Sequence, residues 1–90
     1  MAYAFVEDIA ASWEQYEPVD AAIAEAPPDG LILHVAGPTD EGVRTIGVWE
    51  SRETWRRFHD RRPAAEVLSP PTLRELHALH VVRGSARELA

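Results

Sequence analysis

Gly30-Leu31-Ile32-Leu33-His34-Val35-Ala36-Gly37-Pro38-Thr39-Asp40-Glu41-Gly42-Val43-Arg44-Thr45-Ile46-Gly47-Val48-Trp49-Glu50 decides the fold. Two apolar runs flank a polar, glycine-bearing turn, which is the pattern of a β-hairpin. Pairing the runs through Asp40-Glu41 sets His34 opposite Gly47 and Val35 opposite Ile46. On that register Leu31, Leu33, Val35, Ile46 and Val48 share one face with Arg44. Ile32, His34, Ala36, Thr45, Gly47 and Trp49 share the other. Neither face suits water, so both need a cover.

Upstream, residues 2–9 alternate, with Tyr3, Phe5 and Glu7 on one side and Ala4, Val6 and Asp8 on the other, which predicts a strand. Ser12 with Gln15 three residues on has the form of a capping box. Helical spacing then links Trp13, Tyr16, Val19, Ile23 and Ala24, with Pro18 predicting a late start or a bend. Pro27-Pro28-Asp29-Gly30 ends that helix. Downstream, Ser51 and Thr54 open a second helix with Trp55, Phe58 and Arg62 inward; Pro63 interrupts it, and Pro70-Pro71 closes the region. Leu76–Val82 reads as the last strand, with a short tail over 83–90. The order βαββαβ predicts a ferredoxin-like α+β fold: one domain, residues 1–90, with a four-stranded antiparallel sheet and two helices on one face. The sheet's second apolar face calls for another copy of the chain, a homodimer packed sheet to sheet.

Composition narrows the function classes. Fifteen acids against nine bases give a net charge of −6, a poor match for nucleic acid. Every base is arginine, so lysine Schiff-base chemistry is excluded. The absence of cysteine excludes disulfides, thiolate metal sites and cysteine nucleophiles. No apolar run is long enough to span a membrane and no leader pattern opens the chain, so a cytoplasmic location without membrane partners is expected.

The segment Gly30–Pro38 and the run Gly47-Val48-Trp49-Glu50-Ser51-Arg52-Glu53-Thr54-Trp55-Arg56-Arg57-Phe58 resemble small actinobacterial proteins of the dimeric α/β-barrel superfamily. Met1-Ala2-Tyr3 and Leu79-His80-Val81 fit as well, so the resemblance spans nearly the whole chain. Trp49-Glu50-Ser51-Arg52-Glu53 is similar to the antibiotic-biosynthesis monooxygenase branch. That branch often carries a histidine nine residues past the tryptophan; here Phe58 holds that position and His59 follows it. The resemblance implies a small cofactor-independent enzyme of secondary metabolism, an oxygenase, cyclase or isomerase acting on a polyketide-like ligand. The alternative is a non-catalytic protein of the same fold that binds a small ligand or haem, with His34, His59 or His80 as axial ligand.

His34 is the sharpest candidate for chemistry: a titratable side chain mid-strand, with Gly47 opposite leaving an expected hollow. His34 or His80 would serve as general base. Tyr3, Thr45, Gly47, Trp49, Trp55 and Phe58 would form the wall of a pocket for a small aromatic ligand. His77 and His80 stand three apart on the expected strand and face opposite sides, so no metal site is expected there. Ser12 and Ser51 read as helix caps rather than nucleophiles. Arg52, Arg56, Arg57, Arg61 and Arg62 read as a solvated, salt-bridged helix face or, alternatively, an anion-binding rim.

Overall fold

A computed structural model describes residues 2–61, 72–80, 82 and 84. The elements are β1 (Tyr3–Ile9), α1 (Trp13–Glu25), β2 (Leu31–Thr39), β3 (Gly42–Trp49), α2 (Arg52–Arg61) and β4 (Thr72–Glu75). The strands form one sheet in the order β2-β3-β1-β4 with every pairing antiparallel, the ferredoxin-like arrangement.

The hairpin register is the expected one from Leu33↔Val48 through His34↔Gly47 to Thr39↔Gly42. It breaks at the start of β2, where Leu31 rather than Ile32 pairs with Trp49. This bulge corrects the face assignment of both residues. A one-residue slip reverses a strand's faces, so Leu31 packs inward against Tyr3, Phe5 and Trp49 while Ile32 is 58% exposed.

Two capping devices set the helices. Ser12 Oγ accepts from the Gln15 amide and Gln15 Oε1 accepts from the Ser12 amide, the expected box. The Thr54 amide donates to Ser51 Oγ at the start of α2, and the Ser51 amide donates to Thr54 Oγ1. α1 runs through Pro18 as a single helix, so the expected late start does not occur. Pro18 is exposed, so the Glu14 carbonyl left without a donor faces water, where it loses little. Gly30 (φ +87°) makes the turn into β2, and a Cβ there would meet the Thr54 Cβ at 2.5 Å. Backbone and clearance both require glycine at this crossing of β2 and α2.

β4 corrects the expected last strand. It lies at Thr72–Glu75, with Phe5 to Asp8 of β1 as partners, and Leu76–His80 lies outside any strand. Leu73, its one inward apolar residue, packs on the Tyr3–Phe5–Trp49 cluster, and Glu75 pairs with Arg52 of α2 at 3.3 Å. These tertiary contacts outweigh the stronger apolar pattern downstream. The expectations for Arg62, Pro63, Pro70 and Pro71 lie outside the described residues, as does the tail except Gly84.

Both helices pack on one face of the sheet. α1 contributes Tyr16 and Val19 to a cluster with Ile9 and Val43, and α2 sets Trp55 and Phe58 against Tyr3, Phe5 and Trp49. On the opposite face Leu33 is 52%, Val35 47% and Ile46 38% exposed. Among the described residues no helix is long and apolar enough to cross a membrane.

Candidate functional site

Between the helices and the sheet lies a cavity of about 30 Å³. The sheet supplies Glu7, His34, Thr45 and Trp49 to its wall, and the helices supply Tyr16, Trp55 and Phe58. The aromatic wall holds two ring pairs: Trp49 and Phe58 have ring centroids 5.5 Å apart, and Phe5 and Trp55 5.4 Å. Such tilted contacts hold flat surfaces at fixed angles. The volume admits one or two waters. A polycyclic ligand therefore requires wall side chains to move, and among the aromatic ones Trp55 and Phe58, half-buried on α2, have the most room.

His34 reaches the cavity from β2 because alternation turns it inward. Its Nε2 lies 3.2 Å from Asp20 Oδ1 and 3.3 Å from Tyr16 Oη. Tyr16 and Asp20 are four residues apart on α1 and so present one face to the ring. A carboxylate only accepts, so the pairing with Asp20 puts the imidazole proton on Nε2 and leaves Nδ1 as the basic nitrogen. Glu7 is 8% exposed, and Thr45, directly across from it in register, donates through Oγ1 to Oε1 at 3.3 Å.

The expected site residues separate on this geometry. His34, Thr45, Trp49, Trp55 and Phe58 come together around the cavity; Tyr3, Gly47 and His80 do not line it. Tyr3 sits behind the wall against Phe5 and Trp55. Burial pushes its phenol above the ordinary value, the nearby Glu75 carboxylate adds to this, and Arg52 opposes it. The hollow expected over Gly47 is filled: a Cβ there would meet the Phe5 ring at 2.6 Å. The glycine makes room for Phe5, not for a ligand. His80 is exposed and lies past the end of β4.

Asp20 joins the site without having been singled out, and Glu7 and Tyr16, read from the sequence as a strand-face carboxylate and a helix-core aromatic, join it too. Glu7 was visible as a carboxylate on the Tyr3–Phe5 side of β1, and the Tyr16/Asp20 spacing was visible on α1. Their common focus was not, because it depends on how α1 lies across β2.

Arg57 pairs with Glu53 at 2.6 Å and Arg52 with Glu75, which fits the salt-bridged reading of α2. A larger groove of about 550 Å³ at the hairpin end is lined by charged residues including Asp8, Asp40, Glu41 and Arg44, and has no aromatic wall. Among the described residues no three His, Asp or Glu side chains gather as a metal site.

No family model and no curated protein matches the sequence. Solved structures do match in shape. SnoaB, a cofactor-independent oxygenase from Streptomyces nogalater, superposes with a TM-score of 0.60 at 19% identity, over 92% of this chain and 96% of SnoaB. A SnoaB variant gives 0.64 at 21% identity, over 92% and 98% of the two chains. This chain has their fold. The monooxygenase from the ActVA-Orf6 gene of Streptomyces coelicolor, solved with nanaomycin D, gives 0.57 at 14% identity, over 93% and 92%. The superpositions run nearly end to end, so the ferredoxin-like architecture is shared as a whole rather than as a fragment.

Proposed function

We propose that this protein is a small oxygenase-type enzyme of secondary metabolism. It acts without a cofactor on an aromatic, polyketide-like ligand held between the sheet and the helices. The observation that carries this reading is the aromatic cavity holding His34, in a fold shared with a cofactor-independent oxygenase and with a monooxygenase solved with nanaomycin D. His34 serves as general base through Nδ1, oriented by Asp20 and Tyr16 at Nε2. Removing a proton from a phenol or enol leaves an electron-rich anion that reacts with dioxygen directly. Trp49, Trp55 and Phe58 stack on the ligand's flat faces.

The exposed stripe of Leu33, Val35 and Ile46 supports a homodimer packed through the open sheet face. The chain's small size adds to the argument, since a second copy supplies a core that 90 residues alone build only in part.

The test is binding and turnover together. Nanaomycin D should quench the tryptophan fluorescence, and a panel of hydroxylated naphthalenes and anthracenes should include a compound that consumes oxygen only with the protein present, unaffected by a metal chelator. Absence of both binding and oxygen uptake would remove this reading.

A further inference from the structure

Glu7 is a buried carboxylate that the proposed reaction leaves without a task. It sits mid-strand on β1, on the inner face between Phe5 and Ile9. The Thr45 hydroxyl donates to Oε1. Among the described residues no second donor reaches the carboxylate and no cation stands within ion-pair distance of it. Arg44 and Arg74, its nearest arginines along the ladders, belong to the opposite face of the sheet, where Arg44 holds Asp8. A carboxylate carries about four acceptor positions, and burying one without filling them costs more than burying an amide of the same shape. Among the described residues the Tyr3 hydroxyl is the one buried side-chain polar atom without a partner, so the free Glu7 oxygen, Oε2, opens onto accessible space rather than onto packed side chains. The unfilled acceptors belong to a residue that lines the cavity, beside aromatic walls suited to a flat ligand.

We infer that Glu7 is the specificity-determining residue of the cavity, accepting a hydrogen bond from a hydroxyl on the bound ligand through Oε2. This rests on the cavity being the ligand site. The recognised class is then a neutral hydroxy-aromatic compound. An ether of the same ring lacks the donor and leaves Oε2 unfilled, which binding sites penalise strongly. A carboxylate on the ring sets two anions face to face in a site with little water, where like charges are least screened. The hydroxyl that Glu7 holds keeps its proton and is therefore a different group from the one that His34 deprotonates.

Equilibrium dialysis with 1-naphthol, 1-methoxynaphthalene and 1-naphthoate tests this on the wild-type protein and on Glu7→Gln, with thermal melting of both. The wild type should hold 1-naphthol at least tenfold more tightly than either analogue. Glu7→Gln should bind 1-naphthoate at least tenfold more tightly than the wild type does, and should melt no lower. Equal affinity of the wild type for all three ligands would overturn the inference while leaving the cavity as a ligand site. So would a Glu7→Gln protein that melts lower and keeps the wild-type ranking, since Glu7 would then be structural. Failure of the wild type to bind any of the three would overturn the cavity as the ligand site, and this inference with it.

Discussion

Gly47→Leu tests whether the space over Gly47 is filled. The first added carbon alone would stand 2.6 Å from the Phe5 ring. Ordinary carbon contacts lie about 3.5–4.0 Å apart, so the ring must retreat by roughly 1 Å before the rest of the leucine is placed. Phe5 cannot retreat freely, because Tyr3 and Trp55 pack on it with centroids at 5.7 and 5.4 Å. Overpacking of this kind costs about 1–3 kcal/mol, and four added carbons belong at its upper end. Replacing a strand glycine returns about 0.5–1 kcal/mol of backbone entropy. The net is a loss of about 2 kcal/mol, and at about 4–8 °C per kcal/mol for a domain of this size the melting temperature falls by about 8–16 °C. Thermal unfolding followed by circular dichroism reads this directly. Phe5→Ala removes the obstructing ring, so the double variant should be more stable than the sum of the single effects by about 1–3 kcal/mol. A Gly47→Leu protein that melts at or above the wild-type temperature would refute the reasoning and restore an empty hollow beside His34.

Other substitutions probe separate parts of the structure. His34→Gln should lower turnover by about 10² to 10⁴ while moving the melting temperature little; near-normal turnover would end the general-base role. The wild type should sediment as a dimer and Ile46→Glu as a monomer or aggregate, and a wild type at 10.0 kDa across micromolar concentrations would refute the sheet-to-sheet contact. Ser12→Ala removes the cap of α1 and should cost about 1 kcal/mol in a denaturant titration; an unchanged midpoint would show that the box contributes nothing. The Arg44 hydrogen bond holds the Asp8 carboxyl below its ordinary value of 3.8. That contribution is present above pH 3.8 and is lost as pH falls through the lower folded value. Asp8→Asn should therefore be destabilised relative to wild type at pH 6 and converge with it on acidification, as melting across pH would show.

The hairpin was legible because two apolar runs and one tight turn leave few registers that bury anything. The bulge was not, since nothing in Leu31-Ile32-Leu33 distinguishes the residue that slips. β4 was misplaced for a related reason: Thr72-Leu73-Arg74-Glu75 offers one apolar residue, and only β1's open edge and Arg52 make it a strand. In the site, His34 and the aromatic wall were readable from alternation and helical spacing. Gly47 shows the limit of that reading: glycine announces missing bulk on its own strand but not that Phe5, two strands away from His34, fills it. Asp20 carried no mark of its role, because its partner lies 14 residues on and meets it only through the crossing of α1 over β2.

Among the described residues β2 stands at the edge of the sheet, with one row of backbone donors and acceptors left without a neighbouring strand. Open edges recruit strands from other molecules, and natural sheets blunt them with bulges and prolines. β2 carries one of each: the irregularity at Ile32 near its start and Pro38 near its end. Between them runs Leu33-His34-Val35-Ala36-Gly37, a straight stretch with Leu33 and Val35 exposed and no charged side chain. These two guards confine the sticky part of the edge to five residues, and removing either lengthens a template for stacking chain upon chain. Pro38→Val would extend a well-formed strand, and its consequence would be visible as turbidity in a concentrated sample.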